Sequence, residues 1–352
     1  MAEPTARPQP QSRRGLWIGL AVLIVAYLWR KDVPMLGDCL GDPNVCANVV
    51  TIGLFQGMII SLIAIGYTLV YGILQLINFA NGDVFMLGSV FTLIGVQIFG
   101  LKSDSQPLLV IGAFAVILPI TMLLGAGLNA SIERLAYRPL RRAPTLATLI
   151  SAIGMSFILQ NVGQKMIGAS PVSLPSLLPS DNIIGKGGLL ELGAIEFKTS
   201  HLFVTLITVP LLVALVWFVQ RTRQGKAMRA VAQDREAAGL MGINVDRTIS
   251  LTFLIAGGLA AGAGLVVALY NGQAWWFYGT PYGLLAFTAA VFGGIGNLTG
   301  AMLGGILLGI LISLNAYYVD PRWQEIVVFG ILVLVLIFRP TGLLAERQSE
   351  RA

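Results

Sequence analysis

Ten apolar runs separated by short polar loops constrain this 352-residue chain more than any other feature. They lie at about 15–29, 49–76, 84–100, 107–131, 145–168, 201–219, 249–270, 283–297, 299–317 and 325–338. A helix crosses the hydrocarbon core of a bilayer with about 20 apolar residues, a length most of these runs approach or exceed. A segment in lipid must satisfy its own backbone hydrogen bonds, which leaves helices or closed barrels. Continuous apolar runs of this length select helices. Composition agrees: 56% of residues are apolar and only 11% charged, against roughly 25% charged in soluble domains. In water such a chain would expose large apolar patches. The expected fold is an all-α, polytopic transmembrane helix bundle of about 8–10 spans. The 41 glycines fit it, because glycine lets membrane helices approach closely.

Charge distribution sets the orientation. Residues 1–14, rich in Pro, Gln and Arg, read as a disordered tail. The 15–29 run is short for a span, and snorkelling Arg14 and Arg30 extend it. Ser12-Arg13-Arg14 resembles a twin-arginine export signal, but no small-x-small cleavage site follows Trp29, so an uncleaved anchor is expected. With the amino end inside, alternate loops carry Arg134, Arg138, Arg141 and Arg142, then Arg221, Arg223, Lys226, Arg229, Arg235 and Arg247. Together with the tails this places 16 of the 23 Lys and Arg inside. Cytoplasmic loops carry such an excess, so both termini are expected in the cytoplasm. The net charge of +6 therefore belongs to membrane orientation, and no nucleic-acid partner is expected. Three regions follow: 1–48, a tail, an anchor helix and an external loop; 49–345, a transmembrane domain; and 346–352, a cytoplasmic tail. Cys39 and Cys46 share the external loop. They form a disulfide if that loop faces an oxidising compartment; two free thiols are the alternative. Broken or re-entrant helices are expected near 78–88 and near 293–300, where Gly293-Gly294-Ile295-Gly296-Asn297 interrupts the apolar pattern.

Motifs for energy conversion are missing. No G-x-x-x-x-G-K-[ST] loop occurs; Gly185-Lys186 and Gly225-Lys226 lack the upstream glycine. The one histidine, His201, reads as structural, no histidine accompanies the two cysteines as a metal ligand, and no nucleophile–base pair stands out. An enzyme is not expected. The 224–244 loop, rich in Ala, Met, Arg and Glu, favours a short helix that Gly242 stops. It reads either as a segment that inserts into a groove on another protein or as a solvated basic loop. Asp83 is the one acid well inside an apolar region. An intramembrane acid is a functional candidate by default, facing a polar cavity with Asn78 and Asn81; the alternative is a cap or turn at the cytoplasmic interface. Asn81, Met86, Leu87 and Gly88 are echoed by Asn297, Met302, Leu303 and Gly304, as in transporters built from repeats. Gly296, Gly300, Gly304, Gly305 and Gly309 line a smooth helix face for packing within the chain or against a partner. Trp275, Trp276, Phe277 and Tyr278 read as an aromatic belt, with contact to a delivery protein as the alternative.

Glu236-Ala237-Ala238-(three residues)-Gly242 resembles the E-A-A-x-x-x-G loop of ABC importer permeases, without the usual I-x-L-P continuation. Longer stretches are similar to the branched-chain amino-acid ABC permease family: Ile77 to Asp83, Glu133 to Leu140, Ser151 to Ser156, Ala286 to Gly296 and Pro340 to Leu344, in the family's order. The resemblance implies an inner-membrane permease subunit that translocates branched-chain or other hydrophobic amino acids by ATP-driven alternating access. Urea, an amide or another small solute is the alternative cargo, and a stand-alone secondary transporter is a further alternative. It implies an ATPase-coupling loop of Arg229, Asp234, Glu236, Ala237, Ala238 and Gly242. Asn78, Asn81, Asp83, Thr288 and Asn297 are the expected translocation-pathway residues. The chain itself is expected to bind no cofactor; ATP is used by partner ATPase subunits. A second permease (identical or different), an external substrate-binding protein and membrane lipid complete the expected partners.

Overall fold

The computed structural model describes residues 43–75, 78–140, 143–178, 182–184, 197–339 and 342–344. The 15–29 run and Cys39 lie outside them. The architecture is an all-α bundle. Its helices are α1 (Pro43–Leu74), α2 (Ala80–Ile98), α3 (Pro107–Ile132), α4 (Thr145–Ile167), α5 (Thr199–Arg221), α6 (Arg223–Gln233), α7 (Arg235–Leu240), α8 (Val245–Asn271), α9 (Gly279–Gly293), α10 (Leu298–Tyr318) and α11 (Gln324–Phe338). Among the described residues, eight helical segments are long and apolar enough to cross a membrane, the last being α11 together with the 3-10 turn before it, Pro321–Phe338, 18 residues. The chain is a multi-pass membrane protein. The exception among the expected spans is 283–297. It becomes α9, 15 residues long, or about 22 Å, which falls short of a ~30 Å core.

Local chemistry sets the helix ends. Asn244 caps α8 by accepting from the Arg247 amide (3.0 Å). At the far end Gly272 adopts φ 65°, a left-handed stop that an L side chain rarely takes. Pro119 and Pro210 sit inside α3 and α5, as membrane helices tolerate where neighbours supply the missing partners. Cys46 lies in the first turn of α1 rather than in a preceding loop, and it is disulfide-bonded.

α8 forms the centre of the bundle, packing on α1, α2 and α3. Its small residues allow this: a methyl group built on Gly88 of α2, Gly125 of α3 or Gly264 of α8 would strike the backbone or side chain of the facing helix. α1 and α10 also meet backbone to backbone. A methyl group on Gly57 would lie 2.7 Å from Ile306 Cα and one on Gly53 2.7 Å from Ile310 Cα. Ser61 Oγ donates across this interface to the Met302 carbonyl (2.7 Å) and Ser313 Oγ to that of Val49 (2.8 Å). The glycine stripe of α10 thus divides between two neighbours in the same chain. Gly305 and Gly309 face α1, while Gly300 and Gly304 face α9.

The two ends of α8 define two faces. On one, β1 (Val172–Ser173) pairs antiparallel with β4 (Gln273–Ala274), tying the segment after α4 to that after α8. Trp275 and Trp276 both donate their indole N–H to the Ala169 carbonyl (3.3 and 2.8 Å), so this aromatic cluster is pinned to the loop. Nearby, β2 (Asn182–Ile184) pairs with β3 (Phe197–Lys198). His201 stacks on Phe55 (4.3 Å between centroids) and its Nδ1 accepts from the Lys198 amide, a structural role. On the other face lie α6 and α7.

Gly309→Leu is expected to lower thermal stability in detergent by about 1–3 kcal/mol or more, the range for overpacking a close contact. Gly112→Leu, at a position with open space around it, is expected to change it little. Equal melting temperatures for the two variants would contradict the α1–α10 packing.

Candidate functional site

α1 ends at Leu74 and α2 starts at Ala80. The interruption precedes the expected 78–88 region, because residues 80–88 run on as helix. Gln75 adopts φ 55°, the one described non-glycine residue at positive φ. A buried chain of side chains holds the far side of this break. The Tyr137 hydroxyl donates to Asn78 Oδ1 (2.7 Å), Asn78 Nδ2 donates to Asn129 Oδ1 (3.3 Å), and Asn129 Nδ2 donates to the Phe253 carbonyl (2.8 Å). Tyr137 reaches inward because α3 continues as a π-helical turn, Glu133–Tyr137, a geometry that recurs at functional positions. Asn78 is thus committed on both sides of its amide to clamping the break.

The break delivers the first turn of α2 into the bundle. Gly66 of α1 faces both the Asn81 amide and Ala256 of α8. Ala256 lies about 16 Å along a helix of about 40 Å. Asn81 and Asp83 therefore sit near the mid-length of α8, not at the surface that carries α6 and α7. Both are buried, 0% and 1% exposed. Successive helical residues turn by about 100°, so Asn81 and Asp83 point to different sides of α2. Asn81 faces α1 and α8, and neither of its side-chain polar atoms has a partner.

Asp83 faces α4 and α9. Its Oδ2 accepts from Ser156 Oγ of α4. Gln160, one turn further along α4, donates through Nε2 to Ser156 Oγ and to Thr280 Oγ1 of α9 (both 3.2 Å). Asp83 Oδ1 is buried without a partner and lies where a side chain on Gly279, the first residue of α9, would have to go. The N-terminus of α9 thereby presents its partial positive charge to the carboxylate. Gly82 allows the approach: a methyl group there would lie 2.5 Å from the Gly279 carbonyl oxygen and 3.0 Å from Gly283 Cα.

The remaining expected pathway residues lie elsewhere. Thr288 is buried mid-way along α9, its hydroxyl donating to the Leu284 carbonyl (2.9 Å). Asn297 sits beyond the opposite end of α9 from Asp83, about 20 Å away by helix rise. It caps α10 by accepting from the Gly300 amide (3.1 Å) and donates to the Leu344 carbonyl (2.6 Å). The α9–α10 junction at Gly294–Asn297 is thus held by the carboxyl-terminal segment, whose Leu343 and Leu344 amides donate to Phe292 and Gly293.

The 224–244 loop folds as two helices rather than one. Asp234 ends α6 and caps α7, its Oδ1 accepting from the amides of Glu236 (3.0 Å) and Ala237 (3.1 Å). Met228, Val231 and Ala238 are buried against the bundle. Glu236 and Ala237 are exposed, and Leu240 and Met241 are 90% and 83% exposed. Gly242 (φ 83°) then turns the chain toward α8. Arg229 is exposed and donates to the Gln220 carbonyl (3.2 Å). Arg235 donates from Nε and NH2 to the Ile73 carbonyl (3.1 and 2.6 Å), joining α7 to the last turn of α1.

Comparison with known proteins decides the family. The profile for "Branched-chain amino acid transport system / permease component" matches residues 49–336. The chain belongs to this family of transport permease components. It is 40% identical over 300 residues to the high-affinity branched-chain amino acid transport system permease protein BraD of Pseudomonas aeruginosa, covering 85% of this chain and 95% of that protein. It is 41% identical over 300 residues to the corresponding LivH protein of Escherichia coli, with the same coverage. A solved chain in PsaBC from Streptococcus pneumoniae in complex with Fab overlaps 84% of this chain and 91% of its own length, with a TM-score of 0.42 and 13% identity; so distant a likeness supports no argument.

Within this permease, sequence reasoning missed Ser156, Gln160 and Thr280 beside Asp83, Asn129 and Tyr137 beside Asn78, and Arg235. Ser156 and Gln160 carried a signal, as two polar residues at i, i+4 within an apolar run. Tyr137→Phe is expected to cost the permease about 1–3 kcal/mol of stability, because Asn78 Oδ1 loses its donor in a buried site. Arg138→Ala removes an exposed pair with Asp246 (2.9 Å) and is expected to cost less than about 1 kcal/mol. Thermal unfolding in detergent compares them; an inverted order would contradict the clamp.

Proposed function

We propose that this chain is the membrane-spanning permease subunit of an ABC importer for branched-chain or other hydrophobic amino acids. The observation that carries the reading is the family match over residues 49–336, reinforced by relatives whose names specify high-affinity branched-chain amino acid transport. The chain contains no nucleotide-binding loop of its own, so ATP is bound and hydrolysed by partner ATPase subunits. The α6–α7 face meets those partners. Leu240 and Met241 project from a basic loop whose other large apolar side chains pack against the bundle, an apolar tip suited to a groove on another protein. On this reading the α6–α7 face and both termini are cytoplasmic, in the inner membrane of a prokaryote. A second permease subunit completes the pathway, and an external binding protein delivers substrate to the face carrying the β1–β4 pair.

ATP turnover then drives alternating access. Movement of a docked ATPase against α7 reaches α1 through Arg235 and the Ile73 carbonyl, next to the break that positions Asp83.

Docking is tested by co-purification. Leu240→Asp is expected to weaken ATPase association about tenfold or more, because burying a leucine side chain contributes about 1.5–3 kcal/mol. Glu236→Lys is expected to leave a complex that hydrolyses ATP without importing leucine. Full ATPase association in the first variant, together with tightly coupled uptake in the second, would exclude this face as the coupling surface.

A further inference from the structure

We propose that Asp83, with Ser156, Gln160 and Thr280, forms a mid-bundle subsite that receives the ammonium group of an amino-acid substrate on its way through the permease; this rests on the importer reading above.

Hydrogen-bond supply and demand at the site is one-sided. The Ser156 hydroxyl donates to Asp83 Oδ2, and the Gln160 amide N–H groups are shared by Ser156, Thr280 and the Asp83 carboxylate. What remains is mostly acceptor. Asp83 Oδ1 has no partner, and the amide oxygen of Gln160 accepts only. Asp83 has no ion pair among the described residues. The α9 N-terminus favours the charged carboxylate but delivers only partial positive charge. A buried acid therefore has neutral donors on one oxygen, no partner on the other, and no cation beside it among the described residues.

Its neighbours grade in exposure. Asp83 is buried, Ser156 and Gln160 are half-buried, and Thr280 is exposed. The polar file begins at the surface of the bundle between α4 and α9 and ends on the carboxylate. Burial makes the ion pair strong once water is displaced, and the free acceptors suit the N–H groups of a primary ammonium. Polar residues in such a file are expensive inside a membrane and mark a route for polar cargo. Branched apolar side chains of the cargo make no polar demand on the file. The subsite thus selects for the amino group that all amino-acid cargoes share, and leaves side-chain discrimination elsewhere.

The test uses the intact transporter, reconstituted with its partner subunits in proteoliposomes. Thr280→Cys is labelled with a cationic aminoethyl methanethiosulfonate and with its anionic sulfonatoethyl counterpart. A pocket of one sign raises local counter-ion concentration by roughly 10-fold or more. After correction for intrinsic reactivity, the cationic reagent is expected to react about that much faster, with Asp83→Asn removing the preference and Asp83→Glu keeping it. Turnover of leucine is expected to slow the labelling. Thr280→Lys supplies a tethered ammonium, so it is expected to suppress leucine uptake well below the level of the neutral Thr280→Gln, with ATPase association intact in both. A reagent preference indifferent to Asp83, no labelling at all, or normal uptake by Thr280→Lys overturns the proposal. If the unmodified transporter imports no amino acid yet its Thr280→Cys form shows the Asp83-dependent preference, the importer reading fails and the cation subsite stands.

Discussion

A chain that interrupts its helix inside an apolar bundle must replace the hydrogen bonds it forgoes and hold the break in place; Arg235 donates to the freed Ile73 carbonyl, and the Tyr137–Asn78–Asn129 chain fixes the position. Water cannot enter to satisfy such groups in the lipid-facing depth of a bundle. Three side chains from α3 and the α1–α2 junction instead close on each other and on the Phe253 carbonyl of α8. The consequence is positional. Because the junction is anchored there, α2 begins near the mid-length of α8 and carries Asp83 to the N-terminus of α9. Without the anchor, nothing would hold Asn78 against α3, and Asp83 would lose its neighbours.

Glycine makes the arrangement compact enough to hold. Gly88, Gly125, Gly257 and Gly264 let α2, α3 and α8 touch through their backbones, and Gly82 and Gly279 do the same where α2 meets α9. Lipid offers no hydrophobic drive for helix association, so close packing and interhelical hydrogen bonds carry it. The same contacts make the core stiff. Movement imposed on α7 through the Arg235–Ile73 tie is then transmitted to the α1–α2 junction rather than absorbed in loose packing. In the proposed importer, the surface that meets the ATPase and the buried acid are joined by one helix end and one clamp.

Much of the bundle was legible in the amino-acid pattern, because apolar runs near 20 residues leave few alternatives in lipid. Eight of the expected spans are helices of the right length. The 283–297 run yields a helix too short to span, because α9 ends at Gly293, where the expected interruption lies and Gly294 and Gly296 take positive φ. Asp83 stood out as an acid in an apolar region. Its partners did not, because Ser156 and Thr280 come from helices far along the chain and nothing local marks which helix will face α2. Grouping by chemistry alone placed Asn78, Thr288 and Asn297 with Asp83; the structure gives Asn78 to a clamp, Thr288 to its own helix backbone, and Asn297 to a helix cap. A polar residue in a membrane helix has several ways to be satisfied, and only the fold shows which one applies.

The central claim is that this bundle moves amino acids only when driven by a separate ATPase. Leucine uptake into proteoliposomes containing the permease, its partner permease and the binding protein, measured with and without the ATPase subunits, tests it most directly. Uptake that requires both the ATPase and ATP is the predicted result. Leucine accumulation by the membrane subunits alone, driven by an ion or proton gradient, would contradict it.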